Sequence, residues 1–362
     1  MLKINNKIIS IIIISCITFS YAARASMEFT SAKTYARIEK NLPKAEEFGL
    51  LALTKEPDNS YIPYFLAKEV FMMQKKNKEA GDMFIEALNR PDSKLEKPFK
   101  IGKTRYKTVH QAVTLYADEF YNNAIDYYNK EKFDEAVSMT NICLKLDPNH
   151  VRSYMLLSEI NGNVNNDINE AIYYLDKALQ QNLSNQESFD IYLQKASYFR
   201  KSKRFDEASK ILIDLGEIYK DNILLKRSLF FLYIDMNNIE TAIPYGENLF
   251  LLMENDTDIS MSLIAECAFN LAILFRNLGA IKYNEIIKYF SDSEITNDKT
   301  NQNISKCNDV IALYESAKNY FQNSLNYDEE GSDITKQYKK EMRKEIKKMK
   351  NDIIPQLEIL LK

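Results

Sequence analysis

The sequence predicts an all-α fold, an α-solenoid of paired helices closed by a C-terminal capping helix. Two observations carry that expectation. The chain of 362 residues holds only 8 Gly and 8 Pro, too few for the frequent turns of an all-β sandwich or a loop-rich α/β enzyme. An alanine also returns at Ala45, Ala80, Ala136, Ala171, Ala208 and Ala242, in steps of 35, 56, 35, 37 and 34 residues. A regular period of this size is the signature of stacked repeats.

Residues 1–25 read as a leader. Lys3 and Lys7 form a basic start, an apolar run follows from Ile8 to Phe19, and Ala23-Arg24-Ala25 supplies small residues for cleavage after Ala25. The run is short for a membrane span, and the three-part pattern is that of a secretory signal. A second reading stays open. Ile13-Ile14-Ser15-Cys16 has the form of a lipobox, in which Cys16 would be acylated and the chain anchored as an outer-membrane-assembly-type lipoprotein. The stretch after Cys16 stays apolar to Ala23, where a lipoprotein carries a polar tether, so secretion without a lipid is preferred. An uncleaved anchor is the third reading. Richness in Ile, Asn, Lys and Tyr suggests a bacterial source, hence an envelope location, periplasmic or secreted.

Residues 26–94 carry the first two repeats. Ala45, Gly49, Ala52 and Pro57 mark one, and Tyr64, Ala67, Phe71, Ala80, Phe84 and Ala87 the other. The long step of 56 between Ala80 and Ala136 implies an insertion of about a helix and a loop, placed at Pro91 to Lys107. Residues 95–116 therefore hold the insertion and the start of the next helix.

Residues 117–256 hold repeats three to six. The clearest runs from Ala117 to His150, with Phe120, Ala124, Tyr127, Ala136 and Pro148 at the positions of a large residue, a small one, an aromatic, an alanine and a closing proline. Two helices of about a dozen residues pack antiparallel, and the small residues let their backbones approach. Repeat four offers Tyr154, Leu157, Ala171, Leu175 and Ala178. Repeat five offers Tyr192, Ala196, Phe199 and Phe205-Asp206-Glu207-Ala208, and repeat six Leu229, Tyr233, Ala242, Gly246 and Leu249. This constellation resembles the tetratricopeptide repeat family over about two thirds of the chain. The resemblance implies helix–turn–helix units that bind a protein or peptide along the first helices, and it specifies a mode of binding without specifying a ligand.

Residues 257–330 read as degenerate helical repeats. Leu271, Ala272 and Phe275 mark a first helix and Tyr283 to Phe290 a second, with Ile286 where alanine is expected. Ser291 to Ser305 reads as an exposed loop, and Ile311 to Leu325 as one more amphipathic helix. Residues 331–362 form the cap, a long helix from Tyr338 to Leu361. Lys339, Lys340, Arg343, Lys344, Lys347 and Lys348 make it basic, with Glu341 and Glu345 interleaved at four-residue spacing. A solvated face is the leading reading, and a patch for anionic lipid or an acidic partner the second.

The chemistry-bearing residues exclude more than they include. A net charge of −3 leaves no excess of cations for nucleic acid. His110 and His150 stand alone, so no metal is expected. Cys143 reads as a small buried hydrophobe, and no disulfide is assigned to Cys267 and Cys307. Gly102-Lys103-Thr104 ends like a phosphate-binding loop, but Lys97 occupies the place of the first glycine. Glu46-Glu47 and Asp134-Glu135 suit helix starts. No nucleophile–base pair, HExxH helix or GxSxG elbow occurs in the sequence, so no enzyme and no cofactor is expected.

Stepping along the first helices by three or four projects a groove lined by Phe65, Met72, Tyr121, Ile125, Tyr128, Met155, Leu193, Arg200, Arg227 and Phe231, with Glu69, Glu159, Ser197 and Asp235 beside them. Such a surface takes a partner segment, extended or helical. A small molecule or glycan stacked on tyrosine is the alternative. Membrane association is expected only through a lipid at Cys16 or an uncleaved leader, and the oligomeric state is left open.

Overall fold

The computed structural model describes residues 25–290, 296–328 and 333–361. The leader up to Arg24, with Cys16, lies outside the described residues. The chain divides into two compact units, Met1–Leu183 and Ser184–Lys362. Each is a stack of antiparallel helix pairs, so the fold is an all-α solenoid of helix–turn–helix units.

In the first unit, α1 (Met27–Thr34) runs on through a π-turn (Tyr35–Glu39) and pairs with α2 (Leu42–Lys55). The next pair is α3 (Tyr61–Phe65, extended by the π-turn Leu66–Phe71) with α4 (Asn77–Asn89). An antiparallel hairpin follows, β1 (Lys94–Ile101) and β2 (Thr104–Thr108), leading into α5 (Val109–Val113). Then come α6 (Ala117–Tyr128) with α7 (Phe133–Leu146), and α8 (Val151–Glu159) with α9 (Ile168–Leu179). The second unit pairs α10 (Asn185–Lys201) with α11 (Phe205–Ile218), and α12 (Ile223–Asp235) with α13 (Ile239–Glu254). The long α14 (Met261–Tyr289) and α15 (Asn297–Tyr327) follow, and α16 (Asp333–Lys348) runs through a π-turn (Met349–Ile353) to α17 (Ile354–Ile359).

One turn geometry recurs where each first helix gives way to its second. Lys40, Lys75, Glu131, Asn166, Lys203 and Asn237 all have φ between 54° and 61°. Each stands five residues before a repeat alanine, so the turns step by the same intervals as the alanines. The next residue donates its N–H back to the last turn of the first helix, as Lys132 does to the Tyr127 carbonyl (3.0 Å) and Arg204 to Phe199 (2.8 Å). A left-handed residue followed by such a long-reaching bond satisfies the orphan carbonyls and reverses the chain. Ala45, Ala80, Ala136, Ala171, Ala208 and Ala242 are each 0% exposed, as required where two helix backbones approach.

Several sequence expectations are corrected. The insertion is a hairpin rather than a helix and a loop. Its register pairs Phe99 with Tyr106, Lys100 with Arg105 and Ile101 with Thr104, and Gly102 (φ +56°) turns the chain. Gly102-Lys103-Thr104 is therefore the tip of a hairpin, where no helix N-terminus follows to cradle a phosphate. The seventh unit also differs: Leu271 to Tyr289 lies in one helix, α14, because its apolar stripe continues without a breaker through the buried Ile286 and Tyr289. Ile286 thus continues the first helix and does not stand at the alanine position of a second. The polar stretch from Asn297 onward is helical, capped by the Thr296 side chain. Buried Thr300 meets the Tyr289 hydroxyl at 2.8 Å, and Asn303 donates to the Lys299 carbonyl at 2.8 Å, so its polar groups are satisfied inside a helix. Residues 291–295 of the expected loop lie outside the described residues.

Smaller corrections follow the same logic. Glu46 lies beyond the first turn of α2 and pairs with Lys76 (2.7 Å). Glu341 accepts a hydrogen bond from Gln337 of its own helix (3.0 Å) and its cationic partner is Arg276 (3.7 Å), while Lys340, Arg343, Lys344 and Lys347 are exposed. His110 caps the end of α4, its Nε2 lying 3.1 Å from the Ala87 carbonyl and 2.9 Å from that of Arg90, and His150 caps the start of α8. Cys143, Cys267 and Cys307 are buried free thiols, and burial pushes Cys267 up to about 12.

Candidate functional site

The first helices of the second unit build an open cleft of about 550 Å³. One wall is α10, which contributes Asp190, Leu193, Gln194, Ser197 and Arg200 at successive turns. The other is α12, with Leu224, Arg227, Ser228 and Phe231. Ala196 and Leu212, both buried, form the floor, and Glu266 closes one end from α14. Residues three, four and seven apart share a helix face, so α10 and α12 each present one continuous stripe to this space.

The centre of the cleft is a ring between two guanidiniums. Arg227 lies 5.2 Å from the Phe231 centroid and Arg200 lies 5.8 Å from it. Each arginine is also tethered by a carboxylate, Arg227 to Glu266 at 3.0 Å and Arg200 to Asp235 at 3.4 Å. All four groups are partly exposed, so the pairs orient the side chains more than they stabilise the fold. Leu224 at the rim is 56% exposed. The arrangement offers an apolar floor and rim, a flat aromatic face and two forked donors.

Leu193, Arg200, Arg227 and Phe231, with Ser197, thus line one space. Asp190, Gln194, Leu224, Ser228 and Glu266 line it too and were not picked out from the sequence. The first four lie on the same helical stripes: Asp190 and Leu224 extend them by one turn, and Gln194 and Ser228 lie between residues already named. Glu266 comes from the first turns of α14, ahead of Leu271, the first residue read as marking that helix.

The remaining groove residues belong to the first unit, where the surface differs. Tyr121, Ile125 and Tyr128 on α6 and Met155 on α8 are half-buried. The Tyr128 hydroxyl donates to Glu159 Oε1 at 2.8 Å, and the Tyr121 ring lies 4.9 Å from His150 and 5.7 Å from the Arg152 guanidinium. Met72 is half-buried against the core. Phe65 is a correction: it is 0% exposed and packs edge-on to Phe29 at 5.5 Å. Every residue from Tyr61 to Ala67 is buried, so α3 has no open face at this point.

The hairpin accounts for part of that burial. Glu96 of β1 takes hydrogen bonds from Lys33 (2.7 Å), Arg37 (3.0 Å) and the Tyr61 hydroxyl (3.2 Å), while Arg37 grips Glu69 with two bonds of 2.7 Å. The hairpin therefore lies across α1 and α3, and Glu69, expected in the groove, is held by this network. Burial acts to raise the Glu96 carboxyl, but the bonds from Lys33 and Arg37 outweigh it and hold it below the ordinary range. Burial lifts the Tyr61 hydroxyl to about 12. Among the described residues no group of three His, Cys, Asp or Glu gathers where a metal ion could be held.

No family model matches the chain, and no curated protein matches it. Solved structures do. The C-terminal part of a TPR repeat-containing protein from Cytophaga hutchinsonii is 13% identical, over 86% of this chain and 98% of that one, with a TM-score of 0.43. A tetratricopeptide repeat protein from Parabacteroides merdae is 18% identical, over 88% of this chain and 100% of that one, with a TM-score of 0.35. A TPR repeats protein from Bacteroides fragilis is 18% identical, over 63% and 98%, with a TM-score of 0.32.

Proposed function

We propose that this solenoid of tetratricopeptide-type helix pairs is a non-enzymatic scaffold of the bacterial envelope that binds a segment of another protein in the cleft between α10 and α12. The observation that carries the reading is the half-buried, pre-oriented Phe231 ring between Arg200 and Arg227, above a floor of Ala196 and Leu212. An aromatic anchor with arginine beside it is the composition of an interaction hot spot. The side chains are held before any partner arrives, which lowers the ordering cost of binding. The envelope location rests on the leader pattern of residues 1–25. In the first unit, Tyr121, Ile125, Tyr128 and Met155 are proposed as a further contact surface.

The test is an in-cell crosslink, with a photoreactive residue replacing Leu224 and a control replacing Ile218, which is 72% exposed and outside the cleft. A discrete protein adduct at position 224, absent at 218 and lost on Phe231→Ala in the same chain, supports the proposal. No adduct at 224, together with a melting temperature raised by a saccharide, would replace it with a glycan-binding module.

A further inference from the structure

The hairpin Lys94–Thr108 carries more charge than its packing uses. Lys94, Lys97, Lys100, Lys103, Arg105 and Lys107 are all exposed, and none has an acidic partner within ion-pair distance among the described residues. The one carboxylate of the hairpin, Glu96, is already engaged by Lys33 and Arg37. Lys100 and Arg105 are directly opposite in the register, and like charges so placed destabilise a strand pair. The folded chain gains nothing from that juxtaposition, which an external anion would relieve.

The other face of the hairpin is apolar and graded. Leu95 is buried, Phe99 and Tyr106 are half-buried and stacked at 5.2 Å, and Ile101 at the tip is 54% exposed. A Cβ at Gly102 would meet no atom beyond its chain neighbours within 4 Å, so the turn faces open space there. An exposed apolar tip ringed by Lys100, Lys103 and Arg105 has the composition that enters a lipid headgroup layer, where apolar side chains sink and lysines reach back to phosphates.

We propose that the tip of this hairpin, Lys100 to Arg105, is a docking surface for an anionic lipid bilayer. Nucleic acid fits less well: the two aromatic rings are stacked on each other rather than offered to bases, and five of the six cations are lysines, which act as point charges without bidentate base recognition. A bilayer needs neither, only cations near its surface and an apolar anchor. The route is separate from a lipid at Cys16 and from the leader.

The sequence contains no tryptophan, so Ile101→Trp in the full chain reports on the tip alone. Vesicles of phosphatidylcholine with phosphatidylglycerol should shift its emission to the blue, and brominated acyl chains should quench it. Vesicles of phosphatidylcholine alone should do neither. Each surface cation contributes about a fivefold factor in partitioning, so adding Lys100→Gln, Lys103→Gln and Arg105→Gln should weaken the response on the order of a hundredfold. This readout stays local even if the leader holds the chain at the vesicle. Unchanged emission on anionic vesicles, quenching that survives the three glutamines, or equal quenching of Ile218→Trp would each overturn the proposal. A shift with polyglutamate or an oligonucleotide but not with vesicles would reassign the surface to a soluble polyanion.

Discussion

The Arg227 guanidinium lies 5.2 Å from the centre of the Phe231 ring, one helical turn further along α12, and Glu266 holds its other side at 3.0 Å. A cation over an aromatic face is worth about 0.5–1 kcal/mol at an exposed site, and a surface ion pair about as little. Together they fix the direction of two side chains without making the fold depend on them. Phe231→Ala should therefore abolish the adduct at position 224 while costing about 1–2 kcal/mol of stability. Chemical denaturation beside the crosslink separates the two effects. A variant that binds normally would remove Phe231 from the site.

Ala136 lies in the first turn of α7, which packs against α6, with 0% of its surface exposed. Ala136→Glu buries a charge where no partner can reach it, and we expect a loss of several kcal/mol. The melting temperature measures it directly. A variant that melts like the parent would mean that the repeat phase is misplaced in this copy.

The repeat phase was legible in the sequence because a small residue at a fixed period has a single physical cause, close helix packing. The turns that accompany those alanines were not legible. Their left-handed position is held by Lys, Glu or Asn and never by Gly, so the usual marker is missing. The hairpin was hidden for a different reason. Its alternation is charged against apolar on a strand pair that no sheet covers, and Lys94 to Thr108 read only as a charged interruption of the helical pattern. The Arg200–Phe231–Arg227 cluster followed from helical stepping, because it lies where α10 and α12 are regular. Stepping failed at Phe65, where the flanking helices and the hairpin enclose α3.

Those left-handed residues make a stability expectation. Glu131 is exposed at φ 58°, a conformation that costs a residue with a Cβ about 1–2 kcal/mol. Glu131→Gly removes that cost and adds some chain entropy to the unfolded state. The net expectation is a gain of about 0.5–1 kcal/mol, read as a raised melting temperature. Glu131→Ile should move it the other way, since branching at Cβ is least compatible with positive φ. Equal melting of the two variants would contradict the turn geometry.

Acid should loosen the seat of the hairpin through Glu96. Its carboxyl would ordinarily titrate near 4.5, and the bonds from Lys33 and Arg37 hold it lower in the folded chain despite partial burial. A group with a depressed folded pKa binds protons more readily when unfolded. Its contribution is therefore fully present above the unfolded value and disappears as pH falls through the folded one. Glu96→Gln keeps the shape of the side chain and removes the titration. The parent should melt above this variant at neutral pH, and the gap should close on acidification from about pH 4.5 downward. Salt should narrow the gap at neutral pH as well, because Lys33, Arg37 and Glu96 are each partly exposed and their attraction is screened. If the gap persisted undiminished well below the ordinary carboxylate range, the hairpin would be held by Leu95 and the stacked rings alone, and the ion network would be incidental to its seating.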